Sequence, residues 1–422
     1  MFSLLFAKEF RHTFTPLFWL QFLGAFNDNV YKNAMVVWIT YQVSQTQEET
    51  GLLVSLAAGL FILPFVLFSA IAGRIAAHHE ARQLIQKIKL AEVLVMLIGA
   101  VSLVTESLPV MFLALFLMGT QSAFFGPIKY SILPRLLSHL ELKQGNSLFS
   151  ASTFLAILLG TLLGGAGILW EQGTTIMATI VVTLSVLGYL MSLQIHVQIT
   201  PAQRIDKSLW KAIRPYKSSL FAVLAISWFW FFGAIILSQL PTWTKYLLTA
   251  DDSVLILLLS LFSIGIALGS ALVTKFPAVF TLKYHPILLV KMAFLLGLTL
   301  WCTQQIDSAP ATHLYNLTEL LEQPISYFLL LFFLLLSMQG GAYIVPLYTF
   351  VQTQTDAAEL PQMIAFNNIL NALLMVLSAI LFMLGFSLGY DLLELLWLLV
   401  GLTVIIAYLF FRNRSRIKQN DL

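Results

Sequence analysis

Twelve apolar runs follow one another along this chain, each long enough to cross a bilayer as a helix, for which roughly 20 residues suffice. Read from hydropathy and the breakers between them, they cover about 16–41, 51–77, 84–104, 109–133, 146–169, 174–195, 218–246, 253–275, 286–305, 325–350, 361–388 and 391–411. Composition agrees: 59% of the residues are hydrophobic, 10% are charged and the mean hydropathy is +0.87, where soluble domains carry about 25% charged residues. The expected fold class is an all-α membrane protein of twelve transmembrane helices. Cys302 is the only cysteine, which excludes an internal disulfide framework. Residues 1–13 form a short basic lead-in and the first apolar run lacks a small-residue cleavage site, so that run is expected to stay as an anchor.

The polar interval His196–Lys217 divides the runs into two sets of six. The expected organisation is a six-helix half over 1–195, a central loop over 196–217 and a second half over 218–422, the parallel-repeat plan of many secondary transporters. Lysine and arginine orient it, because cytoplasmic loops are enriched in them. Lys8 and Arg11, then Arg74, Arg82, Lys87 and Lys89, then Arg135 and Lys143 mark one side. Arg204, Lys207, Lys211, Arg214 and Lys217, then Lys275, Lys283 and Lys291, and finally Arg412, Arg414, Arg416 and Lys418 continue it. Glu48, Glu49, Glu106, Glu171, Asp251, Asp252, Asp307, Glu319, Glu322, Asp391 and Glu394 mark the other, where only Lys245 is out of pattern. Both termini are expected in the cytoplasm. The net charge of +3 lies in membrane-flanking loops and does not point to nucleic acid.

Asp28 sits in the middle of the first run, within Asn27-Asp28-Asn29 and one helical turn before Lys32 and Asn33. A carboxylate near the midplane costs several kcal/mol unless it is paired or lines a wet cavity. Positions four apart share a helix face, so Asp28 and Lys32 either neutralise each other and merely pack the bundle, or they bind a substrate or a coupling cation. Gln21 and Ala25 continue the Asp28 stripe. In the fourth run Gln121 precedes Phe124-Phe125-Gly126-Pro127-Ile128-Lys129-Tyr130. Pro127 removes a backbone donor, and Lys129, near the end of its run by linear count, either snorkels to the interface or faces the interior. Asn367, Asn368 and Asn371 fall on nearly one face of the eleventh run, for interhelical hydrogen bonding or for substrate. Lys87, Lys89 and Glu92 at the start of the third run read as a charge cluster at the cytoplasmic end, outside the substrate site.

Small residues four apart let helices approach closely. Gly160 with Gly164 and Gly165, and Gly265 with Gly269, supply such pairs, either as ordinary packing or as a sliding seam between the halves. Trp228-Phe229-Trp230-Phe231-Phe232 makes the seventh run aromatic, and no later run has a mid-span carboxylate. One polar wall and one aromatic wall suit an amphiphile. Enzyme signatures are missing: there is no Gly-Lys dipeptide for a Walker A loop, no Gly-x-Ser-x-Gly elbow and no histidine followed five residues later by aspartate. His78-His79-Glu80 is the one cluster of potential metal ligands, and it reads as a solvated turn. No enzyme, bound cofactor or metal is expected.

The twelve-span layout resembles the major facilitator superfamily. Within it, Gln21-Phe-Leu-Gly-Ala-Phe-Asn-Asp-Asn29, Pro127-Ile-Lys-Tyr-Ser-Ile-Leu133 and Gly145-Asn-Ser-Leu148 with Ala151-Ser-Thr153 and Ala156-Ile-Leu-Leu-Gly160 are similar to the bacterial lysophospholipid transporters. The resemblance covers the first five helices specifically. It implies a secondary transporter that flips lysophospholipids, chiefly lysophosphatidylethanolamine, from the outer to the inner leaflet of the bacterial inner membrane by alternating access. It implies a head-group site at Asp28 and Lys129, with Gln121 on the same helix; Asn29 and Lys32, beside Asp28 on its helix, are candidates from the residues themselves. Asn27, Asn367 and Asn371 are secondary candidates. A sodium or proton gradient is the implied energy source, membrane lipids the surroundings, a separate acyltransferase the functional partner, and a monomer the working form. The alternative is an exporter of drugs or of another small amphiphile such as a siderophore. Two departures stand out: Ala77 occupies the acidic position of the superfamily's Gly-x-x-x-Asp loop, and Ser150 stands where the family often has glutamate.

Overall fold

The computed structural model describes residues 3–43, 47–196, 208–276, 284–307 and 313–413. Twelve long helices follow the twelve apolar runs: α1 Phe14–Trp38, α2 Gln47–His78, α3 Ala81–Val104, α4 Leu108–Ser131, α5 His139–Gly167, α6 Gly173–Leu193, α7 Lys217–Thr242, α8 Asp252–Lys275, α9 His285–Gln305, α10 Pro324–Gln354, α11 Leu360–Ser387 and α12 Leu392–Asn413. The all-α expectation holds, with only an isolated bridge between Ala250 and Tyr315 among the described residues. Ten of the helices are apolar enough to cross a membrane by length and composition alone. The two that fall short, α1 and α3, hold Asp28 and Lys32, and Lys89 and Glu92.

Helix ends obey local chemistry. Glu80 caps α3 by accepting from the Arg82 and Gln83 amides, Ser138 and Glu141 form a capping box on α5, and Asp251 caps α8 through the Ser253 amide. α4 runs unbroken through Pro127. α3 shows the membrane pattern plainly: Leu90, Leu94, Leu97 and Val101 point outward on one stripe, while Lys89, Glu92, Met96 and Ser102 are buried on the other. Polar residues face inward because lipid cannot solvate them.

The chain forms two compact units, Met1–Leu220 with Val351–Ala372, and Phe221–Phe350 with Leu373–Leu422. In the first, α1 packs on α5 and α6, α2 on α4, and α3 on α4 and α6. In the second, α9 packs on α12, and α8 packs on α10, where a Cβ at Gly265 would lie 2.5 Å from the Ser337 Cβ and 3.0 Å from the Leu334 carbonyl. The reading of the glycine pairs as a seam between halves is corrected here. Gly160 and Gly164 lie against Asn29 and the Phe26 and Val30 carbonyls of α1, inside the first unit, and Gly265 and Gly269 lie against α10, inside the second. Of the charges used for orientation, Arg204, Lys207, Lys283, Arg414, Arg416, Lys418 and the side chains of Glu48 and Glu49 lie outside the described residues, as does the 197–207 stretch of the central loop.

Candidate functional site

Two apolar clusters divide the first unit along its helices, and a polar layer lies between them. One gathers Phe14, Leu17 and Leu20 of α1, Ile85 and Ile88 of α3, and Phe125 and Ile128 of α4. The other gathers Val30, Tyr31 and Ala34 of α1, Val95 and Met96 of α3, and Ala114, Leu115 and Met118 of α4. Between them the same helices turn polar, at Gln21–Asn29, at Lys89–Glu92 and at Gln121–Ser122. The pairing also shows that α4 runs opposite to α1 and α3.

The centre of the layer is an ion pair that sequence reasoning assigned elsewhere. Lys89 Nζ lies 2.6 Å from Glu92 Oε2, and each residue is 1% exposed. These residues are not a charge cluster at the helix end. Capped by Glu80, α3 starts at Ala81, so Glu92 is its midpoint. Gln121 of α4 donates from Nε2 to Glu92 Oε2 at 2.8 Å. The Lys89 ammonium also stands 4.9 Å from the centre of the Phe125 ring, and Gly24 of α1 leaves it room: a Cβ there would approach Nζ to 2.7 Å. Burying one charge of such a pair alone costs several kcal/mol, so the two belong together.

Asp28 joins this pair through α4. Ser122 Oγ donates to Asp28 Oδ2 at 2.7 Å and lies 3.2 Å from Gln121 Oε1. Of the two alternatives for Asp28 and Lys32, the mutually neutralising ion pair is not formed. Lys32 Nζ donates instead to Asn29 Oδ1 at 3.1 Å and stands 5.7 Å from the Phe61 ring centre. Asp28 Oδ1 and Glu92 Oε1 are buried without a hydrogen-bond partner among the described residues. Lys129 is half-buried, 5.1 Å from the Tyr130 ring centre and 5.8 Å from that of Phe125, with no carboxylate partner among the described residues. It lies within electrostatic reach of Asp28 and Lys89. It follows Ser122 by seven residues, about 10 Å of helix rise, while Lys32 lies one turn beyond Asp28 on the opposite side. The first unit therefore holds a carboxylate with one buried oxygen that accepts no hydrogen bond, and a cation on either side of it that forms no ion pair among the described residues.

Other candidates face elsewhere. Asn27 donates to the Val181 carbonyl of α6 at 3.1 Å and is fully buried, a helix-packing role. Asn29 donates to the Ala25 carbonyl at 2.8 Å, and through Oδ1 it orients Lys32. Gln21 leaves the Asp28 stripe for α5, donating to Thr153 Oγ1 at 2.9 Å and Ser152 Oγ at 3.1 Å. On α11, Asn367 is buried with neither amide atom partnered among the described residues, and Asn371 is buried too. Asn368, between them, lies against Gly126 of α4, where a Cβ would meet its Nδ2 at 2.5 Å. No group of three or more histidine, cysteine, aspartate or glutamate side chains among the described residues could hold a metal ion.

A family profile described as Major Facilitator Superfamily matches residues 17–308. The chain is 24% identical over 352 residues to the lysophospholipid transporter LplT of Serratia proteamaculans (strain 568), covering 79% of this chain and 78% of that protein. It is 25% identical over 350 residues to the transporter of the same name from Yersinia pestis (strain Pestoides F), covering 79% and 76%. Its fold is similar to the crystal structure of a bacterial homologue of the iron transporter ferroportin in an outward-facing state, with TM-score 0.72 and 13% identity over 96% of this chain and 99% of that one. The fucose:proton symporter of E. coli gives TM-score 0.70 and 12% identity over the same shares. At these identities the structural likenesses bear on the fold alone.

Proposed function

We propose a function from the premise that this chain belongs to the Major Facilitator Superfamily. It is a multi-pass membrane transporter, not an enzyme. Its substrate is a lysophospholipid, chiefly lysophosphatidylethanolamine, moved from the outer to the inner leaflet of a bacterial inner membrane. Two six-helix halves, 1–195 and 218–422, alternate access around the site, with both termini and the 196–217 loop in the cytoplasm. The observation that carries this reading is the charge layout of the polar layer. Asp28 offers an unpartnered carboxylate oxygen, and Lys32 and Lys129 offer cations without a carboxylate partner on either side of it. A phosphoethanolamine head group carries an ammonium and a phosphate, so Asp28 takes the first and Lys129 the second. Charge-assisted hydrogen bonds of this kind are the strong ones. Lys32 and Asn29 border the site, Gln121 holds its floor through Glu92, and Asn367 and Asn371 are its secondary candidates.

Uptake of radiolabelled lysophosphatidylethanolamine into energised spheroplasts tests the reading. Spheroplasts expressing the protein are expected to accumulate label, and those expressing Asp28→Asn with Lys129→Ala are expected to remain at the vector level. Equal uptake by the double variant, or efflux of a drug or siderophore with no lysolipid uptake, overturns it.

A further inference from the structure

Ser122 has two acceptors and one hydrogen to give. Its hydroxyl lies 2.7 Å from Asp28 Oδ2 and 3.2 Å from Gln121 Oε1, and a serine donates only once. Gln121 cannot turn over to help. Glu92, ion-paired with Lys89, can only accept, so Gln121 commits its Nε2 to Glu92 and leaves Oε1 toward Ser122. With Asp28 ionised, the hydroxyl hydrogen goes to the carboxylate and Gln121 Oε1 faces a lone pair. A proton on Asp28 reverses this. The acid O–H then donates to Ser122 Oγ, and the hydroxyl hydrogen turns to Gln121 Oε1. Asp28 to Ser122, Ser122 to Gln121 and Gln121 to Glu92 then all run in one direction, with Lys89 closing the far end. An unmet buried acceptor costs free energy, and a fully satisfied chain does not.

We infer that Asp28 binds a coupling proton, that the Ser122 hydroxyl senses it, and that Gln121, Glu92 and Lys89 are positioning residues that carry the state of Asp28 into α3. One O–H bond forms at Asp28 Oδ2 on uptake and breaks on release to water, no other covalent bond changes, and Oδ1 stays able to accept from the head-group ammonium, so proton and lysolipid move together. A hard metal cation suits the layer poorly, because such ions take about six oxygens while the layer's unpartnered buried oxygens among the described residues are Asp28 Oδ1, Glu92 Oε1, Gln21 Oε1 and Asn27 Oδ1. The charged groups facing Asp28 are Lys32 on its own helix, Lys89 and Glu92 from α3, and Lys129 from α4. From α5 between Gly145 and Gly167 the sequence offers no titratable residue, and from α6 only Tyr189. This deepens the transport reading, and its transport arm rests on that reading.

Two measurements separate the inference from its premise. The first needs no substrate: infrared pH titration of the purified full-length protein, reading the C=O stretch of protonated carboxyl groups. A band that disappears in Asp28→Asn, shifts in Ser122→Ala and returns to the wild-type position in Ser122→Thr is expected. No band assignable to Asp28, or an unshifted band in Ser122→Ala, overturns the inference even if lysolipid moves. The second uses proteoliposomes with a luminal pH dye and added lysophosphatidylethanolamine. Luminal acidification by the wild type is expected to fall about tenfold in Ser122→Ala, the scale of a lost transition-state hydrogen bond, and to recover in Ser122→Thr. It is also expected to fall in Lys89→Met with Glu92→Leu, which leaves no buried charge alone. Lysolipid movement driven by a sodium gradient at equal pH, without acidification, overturns the proton. If no lysolipid binds while the infrared band behaves as expected, the substrate reading fails and the proton site stands.

Discussion

At the scale of single residues, Lys89 and Glu92 cost most when changed separately. Each is 1% exposed and each is the other's counter-ion at 2.6 Å. Lys89→Met or Glu92→Gln alone is expected to destabilise the purified protein by about 3–5 kcal/mol, while the double replacement by Met and Leu is expected to be close to neutral. Thermal unfolding in detergent checks this; equal losses in single and double variants would mean that the pair is not coupled. Asp28 was legible because a carboxylate inside an apolar run has no cheap explanation. Lys89 and Glu92 were misplaced because distance along the sequence stood in for depth: the run was begun at 84, whereas the Glu80 cap starts the helix at Ala81. The Lys32 partner was equally hidden. Both i,i+3 and i,i+4 neighbours are in reach on a helix, and Ser122 of α4 takes Asp28 and frees Lys32 for Asn29.

At the scale of helices, close approach is written into single glycines. A Cβ on Gly164 would run into the Val30 backbone of α1, whereas one on Gly165 would find only Val37 Cγ2 at 3.7 Å. Gly164→Ala is expected to cost about 1–3 kcal/mol through overpacking, and Gly165→Ala to be neutral or stabilising by up to about 1 kcal/mol through helix propensity. Melting curves of the two variants decide it, and an inverted order would contradict the α1–α5 contact. The motif announced a close contact but not its partner, since spacing four apart says nothing of which helix arrives. Outside the membrane, Asn316 and Glu319 form a capping box on the short helix Leu317–Glu322, and His313 reaches Glu319 at 2.8 Å. The Asn316 backbone N–H first, then His313, hold the Glu319 carboxyl below the usual glutamate range. A depressed carboxyl contributes stability above its unfolded value and loses it as pH falls through the folded one. The protection factor of this helix against hydrogen exchange is therefore expected to fall only at acid pH; protection indifferent to acid would contradict the cap. The succession of helices was readable, because Gly, Pro and Asp breakers separate runs of bilayer length, but their ends were not: α5 begins at His139, seven residues before its apolar run.

At the scale of the whole molecule, the membrane-buried Lys, Asp and Glu side chains among the described residues gather in one unit. Asp28, Lys32, Lys89, Glu92 and Lys129 all lie in the first, while α7 of the second carries Trp228, Phe229, Phe231 and Phe232 in buried positions. That asymmetry was visible in the sequence as charged early runs and an aromatic seventh. The hydrogen-bond chain that organises the charges was not, because it depends on which helices meet. On the proposed reading, a polar layer held between two apolar clusters concentrates binding energy on the head group of an amphiphile, and charged groups at membrane depth are costly enough to be kept for such use. The most direct test is the movement of labelled lysophosphatidylethanolamine across proteoliposomes of the full chain. Transport about tenfold or more above protein-free vesicles, falling to that background in Asp28→Asn, is the predicted result. Wild-type movement at background, or an Asp28→Asn variant as fast as the wild type, would contradict it.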